Sequence, residues 1–271
     1  MSAKRLLLAV LLAELTCALL LVDRSAAPTV PHTAAPDAQT STLAPTTRAL
    51  PGGRTATLIA VGGPDSAALT RRIADELGPA ADAVTAFWGP DWRRDIVVAV
   101  AGSDVQFAAL AAPTPGAPTT DIAAVTTTDR ILFAPGAAAM TAPALRIVLR
   151  HELFHYAARA DTAADAPRWL TEGVADYVAR PAPAAPPEAD VPARLPTDTD
   201  LDTAGPVRSL AYDRAWLFSR YVADRHGIAA LRALYLRACG PGHPDVATAV
   251  RDTLGQSLPE VEAGWRAWQA Q

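Results

Sequence analysis

The sequence predicts an α+β fold: a small N-terminal mixed sheet with helices, followed by an all-helical C-terminal half. Two observations carry that prediction. Short β-rich runs bounded by glycine, proline or aspartate recur between residues 57 and 134, separated by stretches with helical spacing. From Thr141 onward the apolar residues keep helical spacing and no further strand-like run follows. A third observation concerns size: with 50% hydrophobic residues, 271 residues are ample for a buried core.

The chain opens on Lys4 and Arg5, then an apolar run over 6–22 interrupted by Glu14 and Thr16. This is the layout of an export signal. Seventeen helical residues span about 25 Å, a little short of a hydrocarbon core of about 30 Å. Residues 1–27 are therefore expected to be a signal peptide or an N-terminal membrane anchor. Either places the protein outside the cytoplasm, secreted or held to the membrane through that segment alone. Residues 28–53 are rich in Pro, Ala and Thr without apolar periodicity, and are expected to form a disordered tether. The folded domain is expected over 54–271. Of the two cysteines, Cys17 falls in the first segment, which leaves Cys239 without an intramolecular partner and reading as a buried thiol.

Within the domain, 57–61 reads as a strand ended by Gly62-Gly63. Leu69, Ile73 and Leu77 mark a helix over 66–77. Gly78-Pro79 is expected to break it, with a second short helix over 80–88. The apolar run 96–101 suits a buried strand, and Ser103-Asp104 caps a helix over 105–111. A Pro/Gly loop follows at 113–118. Strands are expected over 122–127 and 130–134 around a Thr128-Asp129 turn. Thr141 is placed as N-cap, with Pro143 in the first turn of a helix reaching Arg159. A loop at 160–167 leads to a helix over 169–179. The proline-rich stretch 181–206 reads as irregular, either a lid or a surface insert, with the insert favoured. Helices over 209–227, 228–238, 245–254 and 258–268 complete the chain.

The chemistry is concentrated in His151-Glu152-Leu153-Phe154-His155, which reads H-E-x-x-H. On a helix, His151 and His155 share a face one turn apart, and both imidazoles reach one Zn²⁺ at about 2.0–2.1 Å. Glu152 points about 100° away round the helix, beside the metal, where a general base for water belongs. The next helix carries Glu172, a carboxylate that a loop between two helices returns to the same metal. Two His and one Glu with an open fourth position make a catalytic zinc sphere.

H-E-x-x-H followed by W-L-x-E-G-x-A-x-Y over 169–177 resembles the gluzincin metallopeptidases, and especially the short bacterial, thermolysin-like peptidase-MA proteins. The resemblance covers 147–177 and, more loosely, 209–235. It implies a zincin-like (gluzincin) catalytic domain over 54–271 with Zn²⁺ as cofactor. It makes Glu172 the third ligand and Asp176, one turn on, the carboxylate that orients a zinc-bound His. It implies a downstream tyrosine that helps hold the oxyanion, for which Tyr212 is the candidate, against a plain reading as a core tyrosine. An edge strand of the sheet would pair with substrate backbone. His226, at a helix end, and His243, in a Pro/Gly loop, are lesser candidates for oxyanion donors, and His32 falls in the tether. Trp169 reads as a wall of the site or a core aromatic, with the core favoured.

The activity so implied is peptide-bond hydrolysis of a peptide or protein substrate, with Glu152 as base. The sequence lacks a G-x-M-E-N-like aminopeptidase motif, which points to endopeptidase action. The alternatives are a non-proteolytic zinc-binding surface module on the same fold, and a membrane-tethered interaction protein whose motif is accidental. A net charge of −4 with no basic stripe argues against nucleic acid as a partner.

Overall fold

The computed structural model describes residues 44–111, 122–181 and 191–271. The expected signal or anchor over 1–27 and the first part of the expected tether lie outside the described residues. So does the expected Pro/Gly loop at 113–118. The chain divides into two compact units. One runs up to Gly78 and takes in Arg94–Val148; the other holds Pro79–Arg93 and Leu149–Gln271.

The first unit is built on a five-stranded mixed sheet in the order β1-β2-β3-β5-β4: β1 (Thr46–Leu50), β2 (Arg54–Val61), β3 (Asp95–Ala101), β4 (Ala124–Thr126) and β5 (Ile131–Phe133). β1 and β4 are the antiparallel edges, and β2, β3 and β5 run parallel. β3 is buried on both faces, as expected of a central parallel strand. Ala99 and Ala101 pack with Leu132 of β5 and with Phe107 and Ala111 of α2 (Asp104–Ala111). Val98 and Val100 alternate to the other face, and their register partners Ile131 and Phe133 are buried with them.

β1 overturns the far end of the expected tether. Thr46–Leu50 pairs in register with Arg54–Leu58 through a tight turn at Pro51–Gly53. Four of its five residues are exposed, so this edge strand carries no apolar alternation to read.

Helix α1 (Pro64–Trp88) is continuous, where a break at Gly78-Pro79 was expected. Its buried residues keep one stripe across the proline: Leu69, Ile73 and Leu77, then Ala80, Ala81, Val84, Phe87 and Trp88. A proline inside a helix costs about 3 kcal/mol or more. Gly78, lacking a Cβ, removes part of the clash that keeps a residue before proline out of the helix. Burial of the stripe on both sides outweighs the rest. The first turns of α3 (Ala142–Ala158) belong to the first unit, where Arg146 makes a two-pronged ion pair with Glu76 of α1 at 2.9 Å per arm. Thr141 caps α3 as expected, accepting from the Ala144 amide at 3.3 Å.

The second unit is helical: the last turns of α1, the rest of α3, then α4 (Arg168–Ala179), α5 (Asp198–Asp202), α6 (Pro206–His226), α7 (Ile228–Cys239), α8 (Val246–Leu254) and α9 (Leu258–Gln269). Its core is aromatic. Phe218 of α6 meets Trp169 of α4 at 5.2 Å and Trp265 of α9 at 5.4 Å, both edge-on. Trp169 is thus a core residue, buried as the sequence suggested. Cys239 is a buried free thiol, its pKa raised to about 12 by burial. Among the described residues no helix is long and apolar enough to cross a membrane. The α+β class expected from sequence, a small N-terminal mixed sheet followed by helices, is the class observed.

The stretch 181–206 is more ordered than expected in its second part. Residues 182–190 lie outside the described residues, but α5 is a capped helical turn. Thr197 and Asp200 form a reciprocal capping box, the Thr197 amide donating to Asp200 at 2.9 Å. Arg214 of α6 pairs with Asp200 at 2.6 Å, Arg208 donates to two α5 carbonyls, and Arg168 of α4 pairs with Asp202 at 2.9 Å. α6 begins at Pro206, three residues before the expected Ser209, with Gly205 ahead of it and proline in its first turn.

The Thr197 amide and then Arg214 draw the Asp200 pKa down to about 2. Its contribution to stability is therefore complete above the usual carboxylate range, near 3.9, and is lost as pH falls through about 2. We predict that the Asp200 carboxyl carbon titrates by NMR near 2. A midpoint at the ordinary value would contradict the pinned geometry of α5.

Candidate metal centre

The rotation of α3 is set by its apolar residues. Leu149, Leu153, Phe154, Tyr156 and Ala157 are buried. Phe154 packs edge-on against Trp88 at 5.6 Å and Tyr235 at 5.4 Å, and Arg93 lies over the Tyr156 ring at 4.7 Å. With those positions committed, His151 and His155 fall on another face, partly exposed, their ring centroids 4.7 Å apart.

α4 presents Glu172 and Asp176, one turn apart, to those imidazoles. His151 Nε2 lies 3.1 Å from Glu172 Oε2 and 3.0 Å from His155 Nε2. Glu172 Oε1 lies 3.6 Å from His155 Nε2. One ligand atom from each of His151, His155 and Glu172 falls within 4.8 Å of the others, and this is the metal-capable group found among the described residues. His151 Nδ1 donates to Asp176 Oδ1 at 2.9 Å, which leaves Nε2 facing its two neighbours.

The electrostatics fit a cation. Burial opposes charge on His151, but hydrogen bonds to Asp176 and Glu172 outweigh it and hold the imidazole pKa well above its usual value. Burial likewise works against the Glu172 carboxylate, yet His155 and His151 bring its pKa well below the usual range. Two imidazole nitrogens and a carboxylate oxygen converge closely enough to be shared by one cation. The donor set, two imidazoles and one carboxylate, is the one zinc takes in open sites.

Tyr212, from α6, hydrogen-bonds Glu172. The Glu172 charge, then burial, raises the phenol pKa well above 10, so it remains an O–H donor throughout the physiological range. Glu152 follows His151 on α3, partly exposed, and its charge also acts on Tyr212. The structure thus brings together His151, Glu152, His155, Glu172, Asp176 and Tyr212. His226 and His243 lie elsewhere: His226 packs edge-on against Tyr221 at 6.1 Å, and His243 Nδ1 donates to the Pro244 carbonyl at 2.9 Å. His32 is outside the described residues.

No protein-family model matches the chain, and no curated protein matches it. Solved structures do. Aminopeptidase A of Legionella pneumophila, in complex with aspartic acid, superposes with a TM-score of 0.51 at 16% identity, covering 84% of this chain and 28% of that one. A two-domain M1 zinc metallopeptidase mutant bound to L-arginine gives 0.48 at 18% identity, over 83% and 51% of the two chains. An M1 zinc metallopeptidase mutant from Deinococcus radiodurans gives 0.44 at 16%, over 84% and 51%. The likeness is one of fold. The chain spans little more than a quarter of the Legionella enzyme, at 28%. A likeness of fold alone does not reach the short, thermolysin-like subtype expected from sequence.

Three residues of the site went unread in the sequence. Arg180, one turn after Asp176, pairs with Asp176 Oδ2 at 2.6 Å and with Asp213 of α6 at 2.8 Å. The Asp-to-Arg spacing of four on one helix was the available signal. Gly173 is the third. A Cβ there would lie 2.4 Å from the Ala215 carbonyl oxygen and 2.9 Å from Ser219 Oγ, so the backbones of α4 and α6 touch at this point. That approach sets Glu172 beside Tyr212. We predict that Gly173→Ala forces the helices apart, destabilising the protein by about 1–3 kcal/mol. Chemical denaturation checks this; an unchanged midpoint would mean the two helices are not in contact at Gly173.

Proposed function

We propose that this protein is a zinc-dependent peptidase that hydrolyses peptide bonds with a metal-activated water and Glu152 as general base. The observation that carries the reading is the convergence of His151, His155 and Glu172, with Asp176 behind His151 and Glu152 and Tyr212 alongside. In this reading His151, His155 and Glu172 hold Zn²⁺. Zinc chemistry in such a site is the acidification of water to a pKa of about 7 and the polarisation of a carbonyl.

The protein's own groups do the rest. Asp176 keeps the His151 proton on Nδ1 and its Nε2 free to ligate. Glu152 takes the proton of the attacking water and passes it to the leaving amine. Tyr212, kept protonated by its acidic neighbours, donates to the negative charge that develops on the carbonyl oxygen. The fold likeness to aminopeptidases supports a peptide or protein substrate. The missing G-x-M-E-N-like motif favours cleavage of internal bonds over removal of N-terminal residues.

Glu152→Gln is expected to keep bound zinc and to lose turnover by about 10²- to 10⁴-fold, the usual contribution of a positioned base. Metal analysis with a peptide-library digest reads both. Wild-type turnover in that variant would remove Glu152 from the base role. Full zinc content but no cleavage of any peptide by the wild type would favour the non-proteolytic zinc-binding module.

Wild-type digestion should stop with a chelator and return with zinc. Peptides with acetylated N-termini should be cut as readily as free ones. Cleavage confined to free N-termini would make the enzyme an aminopeptidase.

A further inference from the structure

We propose that Arg180 and Asp213 are positioning residues for the metal ligands, acting through Asp176. The inference rests on the metal-centre reading above. Asp176 is buried, its side chain 5% exposed, and only Oδ1 is engaged with His151. A buried carboxylate with one idle oxygen is free to turn about its last torsion. A turned Asp176 would no longer hold His151 by Nδ1, and the imidazole would lose its fixed aim.

Arg180 restrains that freedom. Its Nη2 lies 2.6 Å from Asp176 Oδ2, and Asp176 Oδ1 stays with His151 at 2.9 Å. Arg180 is itself held from three sides. Nη1 meets Asp213 Oδ1 at 2.8 Å, and its guanidinium carbon lies 5.2 Å from the centroid of the Trp216 ring. Asp213 and Trp216 are on α6, and Asp213 is the residue after Tyr212. A single line of contacts, Asp213–Arg180–Asp176–His151, therefore runs from α6 through α4 to α3. The helix that supplies the phenol also sets the aim of the first imidazole.

Arginine is specific to this role. Its planar fork reaches two carboxylates at once while a face stays on the indole; a lysine offers one point charge. The competing account is a plain structural tie between α4 and α6, which would alter folding but leave the ligands unaffected.

The test is zinc affinity of the full chain by chelator competition, with thermal stability and the visible spectrum of the Co²⁺-substituted protein read alongside. Arg180→Met is expected to weaken zinc binding about tenfold, the low end for partners behind a ligand, and to shift the Co²⁺ ligand-field bands. Arg180→Lys should fall between it and wild type. Asp213→Asn, which keeps size and hydrogen bonding, should weaken zinc binding in the same direction by less. Because Arg180 acts through Asp176, Arg180→Met in an Asp176→Asn background should add little further loss.

Additive losses in the double variant would overturn the inference. So would wild-type zinc affinity in Arg180→Met, or in Arg180→Lys and Asp213→Asn should Arg180→Met not fold. In those cases the metal centre itself would stand. If the wild type holds no zinc and His155→Ala behaves identically, the metal reading fails and this inference falls with it.

Discussion

The 2.9 Å hydrogen bond between His151 Nδ1 and Asp176 Oδ1 is the constraint on which the candidate centre depends. It joins α3 to α4, holds a proton on His151 Nδ1 and turns Nε2 toward His155 and Glu172. A free imidazole has two tautomers and rotates about two torsions. Here one carboxylate removes those choices before any metal arrives. The same bond fixes the register of the two helices, because Asp176 faces His151 only when Glu172, one turn earlier, faces both histidines.

Ordinary packing keeps that bond in place. Phe154 in its aromatic nest commits one side of α3 to the core, so the histidines of the same helix have no freedom to roll inward. Gly173 lets α4 lie directly on α6, and the Trp169–Phe218–Trp265 cluster buries the same side of α4 one turn earlier. Polar groups are the precise part of the site and apolar groups its foundation. Burial opposes the charges of His151, Glu172 and Asp176, and each is retained because a partner of opposite sign lies within a few ångströms.

Much of this was legible in the sequence where period and chemistry coincide. Histidines four apart in an apolar run define a helix face, and the W-L-x-E-G stretch supplies a second helix with a carboxylate at the right phase. The buried strands β2 and β3 announced themselves by apolar content. β1 did not, because an exposed edge strand has no need of apolar alternation. The helix through Gly78-Pro79 contradicted its local signal, since a stripe of buried side chains outweighed one proline. The capping box of α5 was present as Thr197-x-x-Asp200 but was hidden in a proline-rich stretch that reads as loop. Arg180 and Gly173 matter through partners on another helix, Asp213 and Ala215, and such pairing is a property of packing that no local window contains.

The central claim is that side chains from two neighbouring helices share one zinc ion. Anomalous diffraction at the zinc absorption edge, from crystals of the zinc-loaded protein, tests it most directly. The account predicts a single strong peak about 2.0–2.2 Å from His151 Nε2, His155 Nε2 and a Glu172 oxygen, with one position left to solvent. A peak elsewhere, or one whose coordination omits Glu172, would contradict it.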